Sequence, residues 1–431
     1  MGDGDRGGLQ EAMQFPLMEA IFGRRSRRFG RGMEMPQGPL SYRSRRDSLS
    51  LSEREEAVLI AAATGVSGWH FGVPYSPGRP GGHAEFSQRF TGRTTPTAAG
   101  FGTPVLFYTN DRGCFVVNTR DVTPERMREV TEGMDDLERA MALCRECTVK
   151  LSDERLDLPA RPPHMLPPNL WMANAPGSTL WMPVGDCSEQ FLGLLTLALA
   201  HGALVVDRDT GEPAGELEPF LSSGLLDEAK VLPLQEVQAD AYETNCLELA
   251  MIGHNIVLVM QAMGLGGLYL AGLNRWSVLG ASAGDGIRGL GFECVEDRQG
   301  IKNPVGLAGI YEGLCPPFVA DMDEAVEIFV ERKFGEEGAY AIDDQGPWRR
   351  GRQIKESVTV ASEEFVDCLK AVARYVHGKY GVFPGTRTTM VLPGFVQTVH
   401  LDCEYYDEHY EPGAYLPTHA HHDELWHGDE E

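Results

Sequence analysis

The chain reads as an α+β protein. Three observations predict this: an antiparallel hairpin signal over 105–118, several segments with helical spacing and recognisable ends, and a stretch from about Ala241 to Met263 that is apolar nearly all round. At 431 residues there is enough chain for a large core, and 42% apolar with 23% charged residues is an ordinary globular balance, which argues against global disorder.

Taken in order, Phe15, Leu17, Met18, Ile21 and Phe22 recur at helical spacing and stop at Gly23. Ser52 followed by Glu55 forms a capping-box signature, acids fill the first turn, and Gly65 is the natural stop, so a helix spans 52–64. The Gly- and Pro-rich stretch 66–100 reads as loop. VLFYTN (105–110) and CFVVN (114–118), joined through Asp-Arg-Gly, read as the hairpin. Thr123-Pro124-Glu125 starts a helix running to about Cys147, and the Pro-rich run 151–180 is irregular. A helix near 186–200 and a strand at 203–207 follow. The helix ending at Met263 is expected to be buried on every side, in a core or a subunit interface, and Gly264-Leu265-Gly266-Gly267 ends it. Helices are also expected over 321–334 and along Phe365, Leu369, Val372 and Val376.

Charge narrows the function classes. With 63 acids against 38 Lys and Arg the net charge is −25, which opposes binding along a phosphate backbone, so no nucleic-acid partner is expected. No membrane span is expected either, because the apolar stretch Leu247–Leu270 contains Glu248, His254, Asn255 and Gln261. Residues 1–14 lack an apolar signal core and read as a flexible tail. The nine scattered Cys read as reduced thiols, and the localisation expected is cytoplasmic. Against the acidic background, Phe22 to Arg46 holds eight Arg and one acid, Glu34, whereas residues 388–431 hold ten acids, six His and neither Lys nor Arg. The acidic arm is therefore expected to dock on the basic stretch.

Three motifs carry chemistry. In RRSRRF (24–29) guanidinium forks and a hydroxyl can converge on one phosphate. In RTTPTAAG (93–100) small residues admit a flat ligand and Thr hydroxyls can bond its edge. The third is the apolar helix closing in GLGGLYL (264–270). In this order they resemble the FMN-dependent nitroreductase superfamily, most closely its azoline-forming dehydrogenase branch. The resemblance implies a three-layer α/β/α fold with a mixed, mainly antiparallel sheet, long insertions and a C-terminal extension. It implies FMN held by Arg24, Arg25, Ser26 and Arg28, by Pro96, Thr97, Ala98 and Gly100, and by Gly264, Leu265, Gly266 and Gly267. It further implies a homodimer with flavin at the subunit seam, hydride transfer through flavin N5 to or from a small organic substrate, and NAD(P)H as a usual donor. Arg275, Arg288 and Lys302 are candidates for a further basic residue at the phosphate. The domain reading is a flavin domain over 15–295 with an inserted segment at 119–244, and an extension over 296–431 ending in the His-rich acidic arm.

No catalytic acid or base stands out. Gly284-x-Gly286-x-x-Gly289 lacks a preceding hydrophobic strand and is set aside as a dinucleotide site. Cys144 and Cys147 lie on a helix without a second pair and read as buried thiols. Two alternatives stand beside the flavin reading: a binding protein of the same fold without flavin, and a metal-dependent enzyme using His400, His419, His422 and His427, with His421 also in the run.

Overall fold

A computed structural model describes residues 4–73, 89, 91–98, 100–131, 135–336, 338–341, 346–358 and 360–428. Residues 1–3 of the expected tail and residues 74–88 of the expected loop lie outside these.

The central sheet is built from β1 (Val105–Asn110), β2 (Gly113–Val117), β3 (Thr148–Ser152), β4 (Thr179–Asp186), β5 (Gly266–Leu270) and β6 (Phe395–Val399), in the order β5-β6-β4-β1-β2-β3 with every neighbour antiparallel. Met390–Val391 adds a short seventh strand against β4. The hairpin forms where Asp111-Arg112-Gly113 predicts it, and Gly113 takes φ 131°, a conformation open to glycine at little cost. Every residue of β1 is buried because both faces of the sheet are covered. Leu106 and Tyr108 join Val117 and Trp181 on one face, and Val105 and Phe107 join Val116 and Met182 on the other. This is the period-two alternation of a strand, here apolar on both sides.

One face packs on helices: α1 (Gly4–Gln14), α2 (Leu17–Gly23), α3 (Glu53–Thr64), α4 (Cys187–Ala200), α5 (Leu234–Met263), α6 (Met322–Phe334), α7 (Glu363–Tyr380) and α8 (His422–Trp426) make up or flank that layer. Leu59, Leu192, Leu249 and Leu369 are fully buried there, each worth about 1.5–3 kcal/mol relative to exposure. The capping box of α3 is formed as expected: Glu55 N donates to Ser52 Oγ at 3.2 Å and Ser52 N to Glu55 Oε2 at 2.6 Å.

Several expectations change. The opposite face of the sheet is covered by irregular chain and the short helices Arg275–Leu279 and Cys403–His409, among them Met165, Met172, Phe292 and Tyr405, so the second helical layer of an α/β/α sandwich is not what covers it. The segment from Gly4 is helical and packs on α8 and α5, with Gly8 against the Trp426 ring. The helix expected to run from 123 to 147 is two helices, Pro124–Thr131 and Asp136–Glu146, because Asp135 caps the second by accepting from Glu138 N at 2.9 Å. β6 lies inside the sheet between β5 and β4, so residues 296–431 are woven into the body that precedes them rather than appended to it.

The long apolar helix is α5. It begins at Leu234, and it is long and apolar enough to cross a bilayer, yet half of its most apolar window is buried within the fold. It is not buried on every side: Leu247, Ala250, Met251 and His254 form an exposed stripe at helical spacing. Tyr269 on β5 packs against Gly253 and is 39% exposed, and Leu17, Met18, Ile21 and Phe22 of α2 are also exposed.

Candidate functional site

The basic stretch divides by what each guanidinium meets. Arg27 is buried: its Nε donates to Ala414 O at 2.8 Å and its Nη1 to Gln261 Oε1 at 2.8 Å and Gly23 O at 3.1 Å, and burial draws its pKa down to about 10. Gly267 N donates to Arg27 O at 2.7 Å, which lays the RRSRRF segment beside the glycine turn. Arg31 pairs with Asp423, Arg43 with Glu34 at 2.6 Å, Arg45 with Glu404 and Glu408 at 3.3 and 3.4 Å, and Arg46 with Asp423 at 3.3 Å. The acidic arm thus docks on the basic stretch. Arg24, Arg25, Ser26 and Arg28 are exposed; Arg25 donates to Phe22 O and Arg24 O, and none of the three guanidiniums has a carboxylate partner among the described residues.

The glycines of the turn have a packing reason of their own. Gly264 caps α5 at φ 76° with a Cβ position filled by the Thr418 carbonyl, and Gly267 at φ 145° presses on the Gln397 carbonyl of β6. Leu265 is fully buried, and Gly266 sits against Leu401.

The second motif lies elsewhere. Pro96, Thr97 and Gly100 line a cavity of about 450 Å³ with Trp69, Arg93 and Glu248. Thr97 Oγ1 and Ala98 N donate to Glu248 Oε1, the latter at 2.9 Å, and Gly100 N donates to Thr97 Oγ1 at 2.9 Å, so the element wraps a carboxylate of α5. Arg93 is half-buried and donates to Pro104 O at 2.8 Å and to Gly102 O, its pKa lowered to about 10 by desolvation first and Arg89 second. Behind the cavity Arg89 donates to the fully buried Glu189 at 2.9 Å, with Arg332 at 3.3 Å and Arg120 at 3.7 Å from the same carboxylate. Burial pushes the Glu189 carboxyl up, but the three guanidiniums outweigh it and hold it low. Next to it Asp186, fully buried, is raised to about 6 by burial and then by Glu189.

Within one protomer the motifs do not meet. Arg27 bonds Gln261 and the Thr97 element bonds Glu248, 13 residues apart on α5, or about 20 Å along its axis. Of the other basic candidates, Arg275 donates to Tyr242 OH at 3.3 Å and Lys302 to Ala281 O at 3.0 Å.

A third arrangement involves a residue that the sequence assigns only to helix capping. Glu55 Oε1 lies 2.8 Å from His422 Nε2, 3.2 Å from His400 Nε2 and 3.5 Å from His427 Nε2, and the two Nε2 atoms of His400 and His427 are 3.2 Å apart. His400 Nδ1 meets Leu49 O at 2.8 Å and His422 Nδ1 meets Met263 O at 2.7 Å. Burial pushes the Glu55 carboxyl up, but the three imidazoles outweigh it and hold it far below the usual carboxylate range. Burial lowers His400, whereas Glu55 raises His427. His419 is not part of the cluster: its Nδ1 accepts from Leu416 N at 3.2 Å, and burial, then Arg27 and His422, drop it to about 3. His421 is exposed. The missed member is Glu55, and its only sequence signal is the capping box.

Gly284–Gly289 forms a turn with a short 3-10 segment at Ala283–Asp285, not a strand-to-helix phosphate loop. All nine cysteines are unpaired, and burial pushes Cys144 up to about 12 and Cys147 to about 11, which makes them poor nucleophiles.

No protein-family model matches the chain, and no curated protein matches it. Among solved structures, a "putative nitroreductase" from Ralstonia eutropha JMP134 aligns at 14% identity over 60% of this chain and 71% of that one, with a TM-score of 0.26. So loose a superposition fixes neither the fold nor the activity.

Proposed function

We propose that the protein is an FMN-dependent oxidoreductase acting as a homodimer on a small organic substrate, with NAD(P)H as a candidate donor. The observation that carries this reading is the fate of the arginines. On a chain of net charge −25, Arg31, Arg43, Arg45 and Arg46 are all ion-paired, whereas Arg24, Arg25 and Arg28, which flank the exposed Ser26 in sequence, have no carboxylate partner among the described residues, and the Arg27 backbone between them pairs with Gly267. Three guanidiniums and a hydroxyl fit a phosphomonoester. FMN, when bound, supplies the hydride-accepting and hydride-donating ring; this chain's part is to anchor its phosphate and shape a pocket.

The separation of the two motifs along α5 favours a two-fold assembly. The exposed stripe from Leu247 to His254 is centred near Met251, so pairing it with itself in antiparallel fashion sets the Glu248 level of one copy against the His254 level of the other, about 10 Å along the axis from its Gln261 instead of about 20 Å. That arrangement brings the Thr97 cavity of one protomer toward the Arg24–Arg28 face of its partner. The exposed apolar residues Leu247 and Met251 are then covered rather than left in water.

The test is titration of full-length protein with FMN and with riboflavin. FMN is expected to bind tightly and riboflavin much more weakly. Arg24→Ala combined with Arg28→Ala removes charge-assisted bonds of about 1.5–3 kcal/mol each, so FMN affinity should fall by at least about 100-fold. Unchanged FMN affinity in that double variant overturns the assignment, and a chain that binds neither flavin favours the binding-protein alternative.

A further inference from the structure

We propose that Glu55, His400, His422 and His427 form a binding site for a single divalent transition-metal ion, with zinc the best fit, which fastens the C-terminal arm to the core. The four donor atoms lie within 4.8 Å of one another. Zinc with ligands at about 2.0–2.2 Å in a tetrahedron needs donor separations of about 3.3–3.6 Å; four of the separations are 2.8, 3.2, 3.2 and 3.5 Å, and none of the others exceeds 4.8 Å.

The tautomers point the same way. His400 and His422 each place Nδ1 on a backbone carbonyl, Leu49 O and Met263 O, so Nδ1 carries the hydrogen and the neutral ring presents a bare Nε2 lone pair to the centre. This is how metal-bound imidazoles are oriented by the groups behind them. Glu55 is held likewise, since its Oε2 accepts from Ser52 N at 2.6 Å and leaves Oε1 for the centre. His422 Nε2 lies 2.8 Å from Oε1 but out of line for a hydrogen bond. Lone pairs converging on a carboxylate inside the fold repel unless a cation sits among them. Two extra buried protons are one answer; one divalent ion between three neutral imidazoles and a carboxylate leaves a single net positive charge, with Asp423 nearby.

The donor set of three nitrogens and one oxygen suits a borderline ion rather than calcium or magnesium. The side chains of Glu55, His400 and His422 are 0%, 1% and 4% exposed, and only His427, at 23%, opens to solvent. Four protein ligands in a closed site mark a structural ion. It would join α3 to the end of β6 and to α8, which rests on α1 and contacts α5 through the Met263 carbonyl. This inference is independent of the flavin reading.

The experiment uses full-length protein with any affinity tag removed. Metal analysis is expected to find about one zinc per chain. Wild type stripped by chelator should take up one Zn²⁺ in competition with a chromophoric chelator, and one Co²⁺ with the intense visible bands of tetrahedral coordination. Glu55→Gln and His422→Ala should each weaken zinc more than tenfold, the scale seen even when only a group hydrogen-bonded behind a ligand is changed, while His419→Ala, three residues from His422, should bind as wild type does. The wild-type titration does not depend on any variant folding. Stripped wild type that takes up neither ion stoichiometrically overturns the proposal, as does a His419→Ala loss equal to that of His422→Ala.

Discussion

Two buried carboxylates, Glu55 and Glu189, are each ringed by three nitrogenous side chains, and they teach opposite lessons. Glu189 faces Arg89, Arg120 and Arg332, whose charge is permanent and whose hydrogens already point outward. Its charge is balanced by groups already present, although Arg120 Nη1, 3.7 Å away, makes no hydrogen bond to it. Glu55 faces three imidazoles, two of which spend their hydrogens on backbone carbonyls and bring lone pairs inward. That cluster is incomplete without added positive charge. Surrounding a carboxylate with bases is therefore not one motif but two: guanidinium makes a structural knot, and imidazole makes a binding site.

Breaking the knot should cost most. Glu189→Gln leaves three guanidiniums around a neutral amide inside the fold, and removing one partner of a buried ionic network costs about 3–5 kcal/mol. Urea unfolding should show this, and a loss below about 1 kcal/mol would show that the arginines find other partners. Next comes Asp186, which shares the network. Its pKa is raised from 3.8 to about 6, so the folded state binds more protons than the unfolded chain across that window, and stability should fall as pH rises through it. Asp186→Asn keeps an acceptor for Ser188 N, so it should flatten the profile between about pH 4 and 6 and gain up to about 3 kcal/mol at pH 7.

Smaller effects sharpen the other half. In metal-free buffer Glu55→Gln should lose the helix cap, about 1 kcal/mol, together with its carboxylate contacts to the imidazoles, whereas adding zinc should stabilise wild type alone and widen the gap. Equal responses to zinc would remove the distinction between the two clusters. At the surface, Arg45 pairs with Glu404 and Glu408 while its own side chain is 67% exposed, so Arg45→Ala should change unfolding by no more than about 1 kcal/mol, and less at high salt.

Local signals were readable in the chain. The capping box of α3, the hairpin at β1 and β2, the helices ending at Ala200 and Phe334, and the helix carrying Phe365, Leu369, Val372 and Val376 lie where periodicity and end residues put them, because each depends on neighbours within a few positions. Charge contrast also pointed correctly to docking of the acidic arm on Arg31, Arg45 and Arg46. What failed was anything set by long-range pairing. Hydropathy could not tell that β6 enters the sheet between β5 and β4, 125 residues after β5. The His run illustrates the limit: spacing alone put His419 beside His422, yet the turn at Pro417–Ala420 sends His419 toward Leu416 and Arg27, and the fourth donor comes from 345 positions before His400. Likewise RRSRRF and RTTPTAAG were read as one site, but within the chain α5 keeps them about 20 Å apart, at Gln261 and Glu248.

The most direct test of the proposed activity is the visible absorption spectrum of the purified full-length chain after equilibration with FMN and removal of the excess. The account predicts the two-band spectrum of a bound flavin at about one per protomer, bleached by a two-electron reductant. A chain that emerges colourless would contradict it.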